Sequence, residues 1–512
     1  MNESVQVGSR CYCAKRDRIV VRSNLHSKPK VSRMKQLYKN ISYTGLHQFI
    51  VIGLAFILVP VATRQLGAND YGIYTVATTI GFFVSLFADL GTSTILTREI
   101  SKRPKLAGKF FARVLSIKLL LTVLAVALLL IYLSLANYTE KQTHVILVFC
   151  IAAVLGSFST AAFGVFRGAE KMQYEAIGVS LDKFISVIIG ITILLYGLGV
   201  EYFIWSFVVS SVMLFIFSFW TLYHKFITFE LKWHQRQSKT ILYISIYLGI
   251  SAFLSMVYNY QDILMLSKMG TMQDIGYYSA AHRVLMVTRI FPTILATAFL
   301  PQLSAHHADK NRLADFFSQG VSYLFLIIFP LIPATVLLAD PIIQFICGID
   351  FIPAADALRI LAFAVTAQIM NIFFVPLYVA TNNEKKIVHF QIIGLIVNVV
   401  LNVLLIPLLS FNGAALATVA TEAIIFIFIY SWIRHKIGVR LFPPAMFGLK
   451  VLLNTLLMMT VVFFAYAAHF HILVIVMAGV ITFALALELT NTLKFSRFFR
   501  MARELAGRAA VN

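Results

Sequence analysis

Apolar runs of about 20 residues recur along this chain from Ile41 to Leu493. Each is long enough to cross a hydrocarbon core of roughly 30 Å as a helix. Fourteen spans are read, near 43–62, 72–91, 114–135, 144–166, 177–198, 202–222, 241–266, 275–299, 317–338, 357–380, 386–407, 413–433, 447–467 and 471–493. Composition agrees. Of the 512 residues, 59% are hydrophobic and only 13% charged, with mean hydropathy +0.83, against about 25% charged in an ordinary soluble domain. The expected fold class is an all-α polytopic membrane protein.

A net charge of +21 would suit a nucleic-acid partner, but its distribution argues otherwise. When alternate loops are assigned to opposite sides, nearly all Lys and Arg outside the spans gather on one side. Only Arg64, Lys141 and Lys268 fall on the other. Positive residues mark the cytoplasmic side, so both termini are expected there and no nucleic acid is. No apolar run precedes the first span, so no signal peptide is expected. Residues 1–40 read as a basic cytoplasmic tail, with 1–33 disordered and Met34 an alternative translation start. Residues 494–512 read as a second basic tail. Cys11 and Cys13 lie in the first tail, Cys150 lies within a span and Cys347 stands alone outside. They build neither a disulfide framework nor a metal set.

The chain also repeats itself. Tyr71-Gly72-Ile73-Tyr74 opens the second span and Ile275-Gly276-Tyr277-Tyr278 opens the eighth. About 100 residues after each glycine comes a matching turn, GAEKMQ at 168–173 and NNEKKI at 382–387. Residues 41–222 and 241–433 therefore read as two six-helix bundles. Each holds an even number of spans, so the repeat is parallel, about an axis along the membrane normal. The basic segment 223–240 joins them, and 434–493 adds two further helices. Chance similarity of a short G-x-Y motif is the competing explanation.

Polar residues inside the spans are the candidate functional groups. The eighth span contains YSAAHRVLMVTRIFP at 278–292. Counted from Ile275, Arg283 lies about 12 Å deep and Arg289 about 21 Å deep. His282 and Arg289 share a face, Arg283 points roughly 100° away, and Pro292 is placed to kink the helix. Such a wide polar sector suits a helix bordering a wet cavity, where paired arginines favour an anionic group such as a pyrophosphate. Asp262, near the outer end of the seventh span, is the candidate ion-pair partner for Arg283. Glu422, close to mid-membrane, is either buried and protonated or an ion-coupling site. Asn398 with Asn402, and Gln368 with Asn371, are expected to form interhelical hydrogen bonds. Lys118, Lys183, Lys450 and Arg359 lie near span ends and are expected to snorkel. Asp89 reads as capping or interfacial. The 339–356 segment carries Asp340, Asp350 and Asp356 as solvated or capping residues. Aligning Gly72 with Gly276 sets Thr78, Thr79 and Ser85 opposite His282, Arg283 and Arg289, so the cationic site belongs mainly to the second half. No phosphate loop, H-E-x-x-H or cysteine–histidine set occurs. No metal or cofactor is expected, and transport would be passive, coupled to H⁺ or Na⁺, or driven by the substrate's own gradient.

Three blocks carry a family resemblance: RQLGANDYGIYTVATTIGFFVSLFADLGTSTILTREIS at 64–101, DIGYYSAAHRVLMVTRIFPTILATAFLPQLS at 274–304 and NVVLNVLLIPLLSFNGAALATVATE at 398–422. Over about 34–495 the chain resembles polysaccharide-biosynthesis flippases of the O-antigen type, within the multidrug/oligosaccharidyl-lipid/polysaccharide exporter superfamily. The resemblance implies two six-helix bundles around a central cavity, two extra helices and alternating access. It also implies translocation of an isoprenoid-pyrophosphate-linked oligosaccharide to the outer leaflet of the cytoplasmic membrane, among membrane lipids and other polysaccharide assembly proteins. Cationic cavity residues of that family hold the pyrophosphate, a role that fits Arg283 and Arg289 here, with His282 assisting. Relatives that flip a lipid-linked peptidoglycan precursor also carry arginines in early helices. This chain has only Arg64 there, which disfavours that substrate. Two other readings stay open, a cation-coupled antiporter of the multidrug and toxic compound extrusion type and a membrane polysaccharide polymerase.

Overall fold

The structure, a computed structural model, describes residues 30–226, 235–305, 309–381, 383–438 and 443–492. The expected N-terminal tail before residue 30 (with Cys11 and Cys13), most of the joining segment and the C-terminal tail from 493 lie outside the described residues. Among the described residues every regular element is helical. The first half comprises α1 (Lys30–Asp89), α2 (Thr92–Lys102), α3 (Ala107–Ala136), α4 (Glu140–Gly168), α5 (Gln173–Leu195), α6 (Gly199–Phe203) and α7 (Trp205–Lys225). The second comprises α8 (Gln235–Met269), α9 (Met272–Met286), α10 (Ile290–Ala305), α11 (Lys310–Leu337), α12 (Ala339–Cys347), α13 (Ala354–Ala380) and α14 (Glu384–Ile437). Two more, α15 (Ala445–Ala467) and α16 (Ile472–Leu489), follow.

Eleven helical stretches are long and apolar enough to cross a membrane. Two of them are double. Gly67 (φ 69°, ψ 175°) breaks α1, and Ser410 (φ 49°, ψ −131°) breaks α14. Dividing both and adding α8 yields the fourteen spans expected from hydropathy, so the chain is a multi-pass membrane protein. The eighth span is itself interrupted. Val287–Arg289 form a 3-10 turn between α9 and α10. Pro292 has no N–H for the Thr288 carbonyl, so the helix departs from α geometry in the turn before it. Threonine hydroxyls cap neighbouring carbonyls, Thr288 donating to Leu285 at 2.6 Å and Thr293 to Arg289 at 2.8 Å.

The halves meet where the repeated glycines lie. A Cβ at Gly72 would fall 1.8 Å from the Met272 carbonyl oxygen, and one at Gly276 would fall 2.0 Å from that of Ala68. Each glycine thus faces the backbone one turn before the other, a reciprocity that a parallel repeat produces. The halves touch again at Leu90 and Gly91 (φ 40° and 77°). There a Cβ at Gly91 would lie 2.9 Å from Leu248 Cβ, and one at Gly249 would lie 2.9 Å from Leu90 Cδ2. The extra helices attach to the second half. Met458, Val462 and Ile475 pack with Leu338, while Val451 and Leu487 pack with Leu326.

Two elements were hidden by a reading based on spans. The short amphipathic α2 lies along α4, where Thr97 donates to the Gly164 carbonyl at 3.1 Å. The supposed outer loop at 339–356 contains α12. Two snorkelling expectations are corrected. Lys118 is fully buried and donates to Asp89, which also accepts from Ser93 (2.5 Å) and Thr92 (3.2 Å). Asp89 is therefore the counter-charge of a cation rather than a cap. Arg359 is held by Asp340 and by Asp356 (2.7 Å), so these acids are ion-pair partners rather than free loop residues. Lys450 donates to the Thr490 carbonyl at 2.9 Å.

Two substitutions test these contacts. Gly276→Ala drives a methyl group into backbone that cannot yield, and overpacking of this kind costs about 1–3 kcal/mol. Thermal unfolding in detergent should show a lowered midpoint for it and none for Gly156→Ala, whose surroundings are open. Lys118→Ala leaves Asp89 without its counter-charge, a loss of about 3–5 kcal/mol for a buried pair. The same assay should show partial recovery in Lys118→Ala/Asp89→Ala.

Candidate functional site

The site is built outward from α9. Thr271 and Asp274 start that helix with a capping box. The Thr271 hydroxyl accepts from the Asp274 N–H at 3.1 Å, and the Asp274 carboxylate accepts from the Thr271 N–H at 2.9 Å. Gly276 then sits against α1. Seven residues on, Arg283 returns to the same face, because 700° is within about 20° of two full turns. Its guanidinium lies over the rings of Tyr71 and Tyr74, 5.5 and 5.3 Å from their centroids. Such contacts contribute roughly 0.5–2 kcal/mol. Arg283 therefore stands at the seam between the halves, against aromatic residues of the first.

His282 and Arg289 share the neighbouring face, which looks into the second bundle. The His282 ring stacks on Tyr278 one turn earlier, with centroids 6.0 Å apart and planes at 5°. One Arg289 nitrogen donates to Gln368 Oε1 at 2.5 Å. Gln368 Nε2 in turn donates to Glu422 Oε1 at 3.0 Å. The Tyr258 hydroxyl (2.7 Å) and Asn371 Nδ2 (2.9 Å) complete the shell of Glu422. Only donors reach this carboxylate, an arrangement matched to an acceptor. The glutamine amide carries the polarity of Arg289 to Glu422 without a direct ion pair.

Asp262 belongs to the same region. It accepts from Tyr278 at 2.6 Å, Asn402 at 2.7 Å and Thr418 at 3.1 Å. Asn402 also donates to Asn398 Oδ1 at 2.6 Å. The expected Asp262–Arg283 ion pair is not formed among the described residues. The reason is rotational, since Asp262 turns toward α14 while Arg283 turns toward α1. The Gln368, Asn371, Asn398 and Asn402 amides do make hydrogen bonds, mostly between helices, and they converge on carboxylates.

His282, Arg289, Asp262 and Glu422 line a cavity of about 20 Å³, room for about one water. A larger cavity of about 220 Å³ shares Tyr258, Arg289, Gln368 and Glu422 with it and extends to Phe390 and Gln391. Arg283 lines neither. Arg289 Nε, Thr421 Oγ1 and Asn371 Oδ1 are buried without a hydrogen-bond partner among the described residues. Buried polar groups in that state are ordinarily satisfied by water or a ligand. No metal-holding cluster of His, Cys, Asp or Glu occurs among the described residues.

Span-by-span reading brought forward His282, Arg283, Arg289, Asp262 and Glu422, but not Tyr71, Tyr74, Tyr258 or Thr418, which contact them. The repeated aromatic pairs around Gly72 and Gly276 were the available signal for the first two. Tyr258 and Thr418 had none beyond lying within four residues of Asp262 and Glu422.

A family model described as "Polysaccharide biosynthesis protein" matches residues 37–307. Among curated proteins, the probable low-salt glycan biosynthesis flippase Agl15 of Haloferax volcanii is 23% identical over 375 residues, covering 73% of this chain and 78% of its own length. The probable flippase AglR of the same organism is 21% identical over 367 residues, covering 69% and 74%. Among solved structures, the lipid II flippase MurJ in an inward closed conformation superposes with a TM-score of 0.72, at 17% identity, over 88% of this chain and 98% of its own. An inward-facing multidrug resistance transporter of the MATE family, from the MOP superfamily, superposes with a TM-score of 0.62, also at 17% identity, over 75% and 94%. At these identities the structural likeness speaks for the fold.

The Arg289–Gln368–Glu422 relay makes its own prediction. Gln368→Leu fills similar space but deprives Arg289 and Glu422 of one hydrogen bond each. About 1–3 kcal/mol is expected for such a loss, read as a lowered thermal midpoint. Gln368→Glu, which keeps an acceptor for Arg289 but sets a second carboxylate against Glu422, should restore the contact to Arg289 alone. It should melt at a more acid-dependent temperature than the parent.

Proposed function

The chain belongs to the polysaccharide biosynthesis protein family, and on that premise we propose that it is a flippase of glycan assembly rather than an enzyme. Its substrate is an isoprenoid-pyrophosphate-linked oligosaccharide, moved from the cytoplasmic to the outer leaflet by alternating access. The curated relatives, both designated probable flippases, support this reading. The observation that carries it is that the eighth span holds two arginines, Arg283 and Arg289, neither of which is ion-paired with a carboxylate among the described residues. Arg283 lies at the seam between the halves, where a substrate passing between them meets it. Arg289 keeps a donor unpartnered beside an open cavity. A guanidinium binds pyrophosphate oxygens through two parallel N–H groups, and a prenyl tail remains in the bilayer as the headgroup crosses.

In this reading Arg283 meets the pyrophosphate first, and Arg289 with His282 receives it on the second-half side. When an anion takes the Arg289 guanidinium, the hydrogen bond to Gln368 opens, and Glu422 loses part of its shell. Glu422 and Asp262 are then the places for a coupling H⁺ or Na⁺. The excess of Lys and Arg on one face supports a cytoplasmic orientation of both termini, in keeping with a protein of the cytoplasmic membrane. Its partners are membrane lipids and other polysaccharide assembly proteins. One observation favours a cation-coupled antiporter instead, namely that two carboxylates, Asp262 and Glu422, line the same cavity. The polymerase reading loses its support, because half of the segment that would hold an outer catalytic loop is helix α12 and two of its three acids, Asp340 and Asp356, are paired with Arg359.

Export complementation separates these readings. The parent, Arg283→Ala, Arg289→Ala and Glu422→Gln are expressed at equal membrane abundance in cells lacking their own flippase. The parent should restore surface glycan. Either arginine variant should lower it at least about ten-fold, the factor for one lost charge-assisted interaction of about 1.4 kcal/mol or more, while lipid-linked oligosaccharide accumulates inside. Full export by Arg289→Ala would remove that residue from the site. A parent that restores no glycan but lowers drug sensitivity would establish the antiporter.

A further inference from the structure

A second binding place lies outside the site, between the two rods of α14. Its walls are the start of the first rod and the end of the second, both on the face where the basic loops gather. Lys386, His435 and Lys436 line the rim of an open groove of about 510 Å³. Phe390, Phe428 and Trp432 form its floor. The floor is firmly built. The Trp432 ring stacks on Tyr378 with centroids 4.6 Å apart, and Phe390 lies parallel to Phe428 at 6.4 Å. Phe428 is nevertheless 45% exposed and its neighbour Ile427 61%, so this side of the helix pair faces what surrounds the protein.

The charge is unbalanced. The sequence carries one acid beside the rim residues, Glu384 two residues before Lys386, and then no Asp or Glu from 385 to 421 or from 423 to 487, against three basic or ionisable rim residues. Among the described residues neither lysine is within ion-pair distance of a carboxylate. A cationic rim above an aromatic floor, at the depth where a membrane helix leaves the bilayer, is complementary to one kind of molecule. We propose that this groove binds an anionic phospholipid of the adjoining leaflet, its phosphate on Lys386, His435 and Lys436 and the start of its acyl chains on Phe390 and Phe428. Basic pockets between helix ends recognise such headgroups, and Trp is favoured at that level of the membrane. The transported substrate is not the occupant. Both walls belong to one half, so nothing held there is exposed to the two membrane faces in turn.

The test uses the full chain in detergent, titrated with phosphatidylglycerol or with phosphatidylcholine of the same acyl composition and read by native mass spectrometry. The parent should prefer phosphatidylglycerol. Lys386→Ala/Lys436→Ala should reduce that preference about thirty-fold, taking each lysine at the strength of one interfacial basic residue. Lys386→Arg/Lys436→Arg should retain it. Lys105→Ala/Lys109→Ala, which removes the same charge from exposed positions elsewhere, should leave it unchanged. Equal binding of the two lipids by the parent overturns the proposal, as does an equal loss in both alanine pairs. Displacement of bound phosphatidylglycerol by an equimolar polyprenyl pyrophosphate also overturns it, by assigning the groove to the substrate. None of these readouts requires transport, so they stand apart from the flippase reading.

Discussion

The two halves of the molecule are joined backbone to backbone at Gly72 and Gly276, and the position of every candidate residue on α9 follows from that contact. Helices approach this closely only where side chains are missing, which is why small residues mark interfaces in membranes. Once Gly276 faces α1, the 3.6-residue period leaves no freedom. Arg283, seven residues later, must face α1 as well, and it lands on the two tyrosines that flank Gly72. His282 must face about 100° away, and Arg289, beyond the 3-10 turn, is turned into the second bundle by its hydrogen bond to Gln368. What the sequence presents as one broad cationic sector is thus divided by the seam into two environments.

Those environments handle charge differently. At the seam the guanidinium rests on aromatic faces, which attract it without neutralising it. Inside the second bundle, Arg289 is tethered through an amide to a carboxylate, and each member of the chain has another partner or an open donor. A direct Arg–Glu ion pair at this depth would be hard to separate. A relay through a neutral amide opens at the expense of one hydrogen bond. The first bundle contains the opposite case. Lys118 and Asp89 are in direct contact, the lysine has no exposure, and Thr92 and Ser93 donate to the same carboxylate oxygen. That pair is built to persist. It fixes the end of α1 where Leu90 and Gly91 turn with positive φ and press against Gly249.

Hydropathy was sufficient to count the spans because lipid imposes one requirement on every one of them. It could not show that α1 and α14 are long helices broken at Gly67 and Ser410, since a break of one residue hardly changes a window of twenty. It also hid α2 and α12, whose charged or short sequences read as loops. Among the candidate residues, depth and ionisable character singled out Arg283, Arg289, Glu422 and Asp262, of which Arg289, Glu422 and Asp262 line one cavity. They did not reveal partnership. Lys118 lies 29 residues from Asp89, and Glu422 lies 164 residues from Tyr258, and no local pattern links such positions. The Asp262–Arg283 pairing failed because equal depth is only one of two coordinates, and the rotation of each helix decides the other. The information that would have resolved it was present in Gly276, which declares its face by having no side chain.

The repeat therefore conserves packing and not chemistry. Gly72 and Gly276 exchange contacts as equivalent positions should, yet the residues seven further along are Thr79 and Arg283. Thr79 is buried, while Arg283 lies over Tyr71 and Tyr74 on the opposite helix. A seam lined on one side by a cation and on the other by aromatic rings presents different surfaces to whatever enters it. The rings under Arg283 are themselves packed, Tyr71 against Phe351 and Tyr74 against Phe203 and Phe207, so the first half holds the cation with a rigid aromatic wall. Two identical halves would bind a ligand in either of two orientations. Confining the charge to one half removes that degeneracy and gives the seam a single polarity.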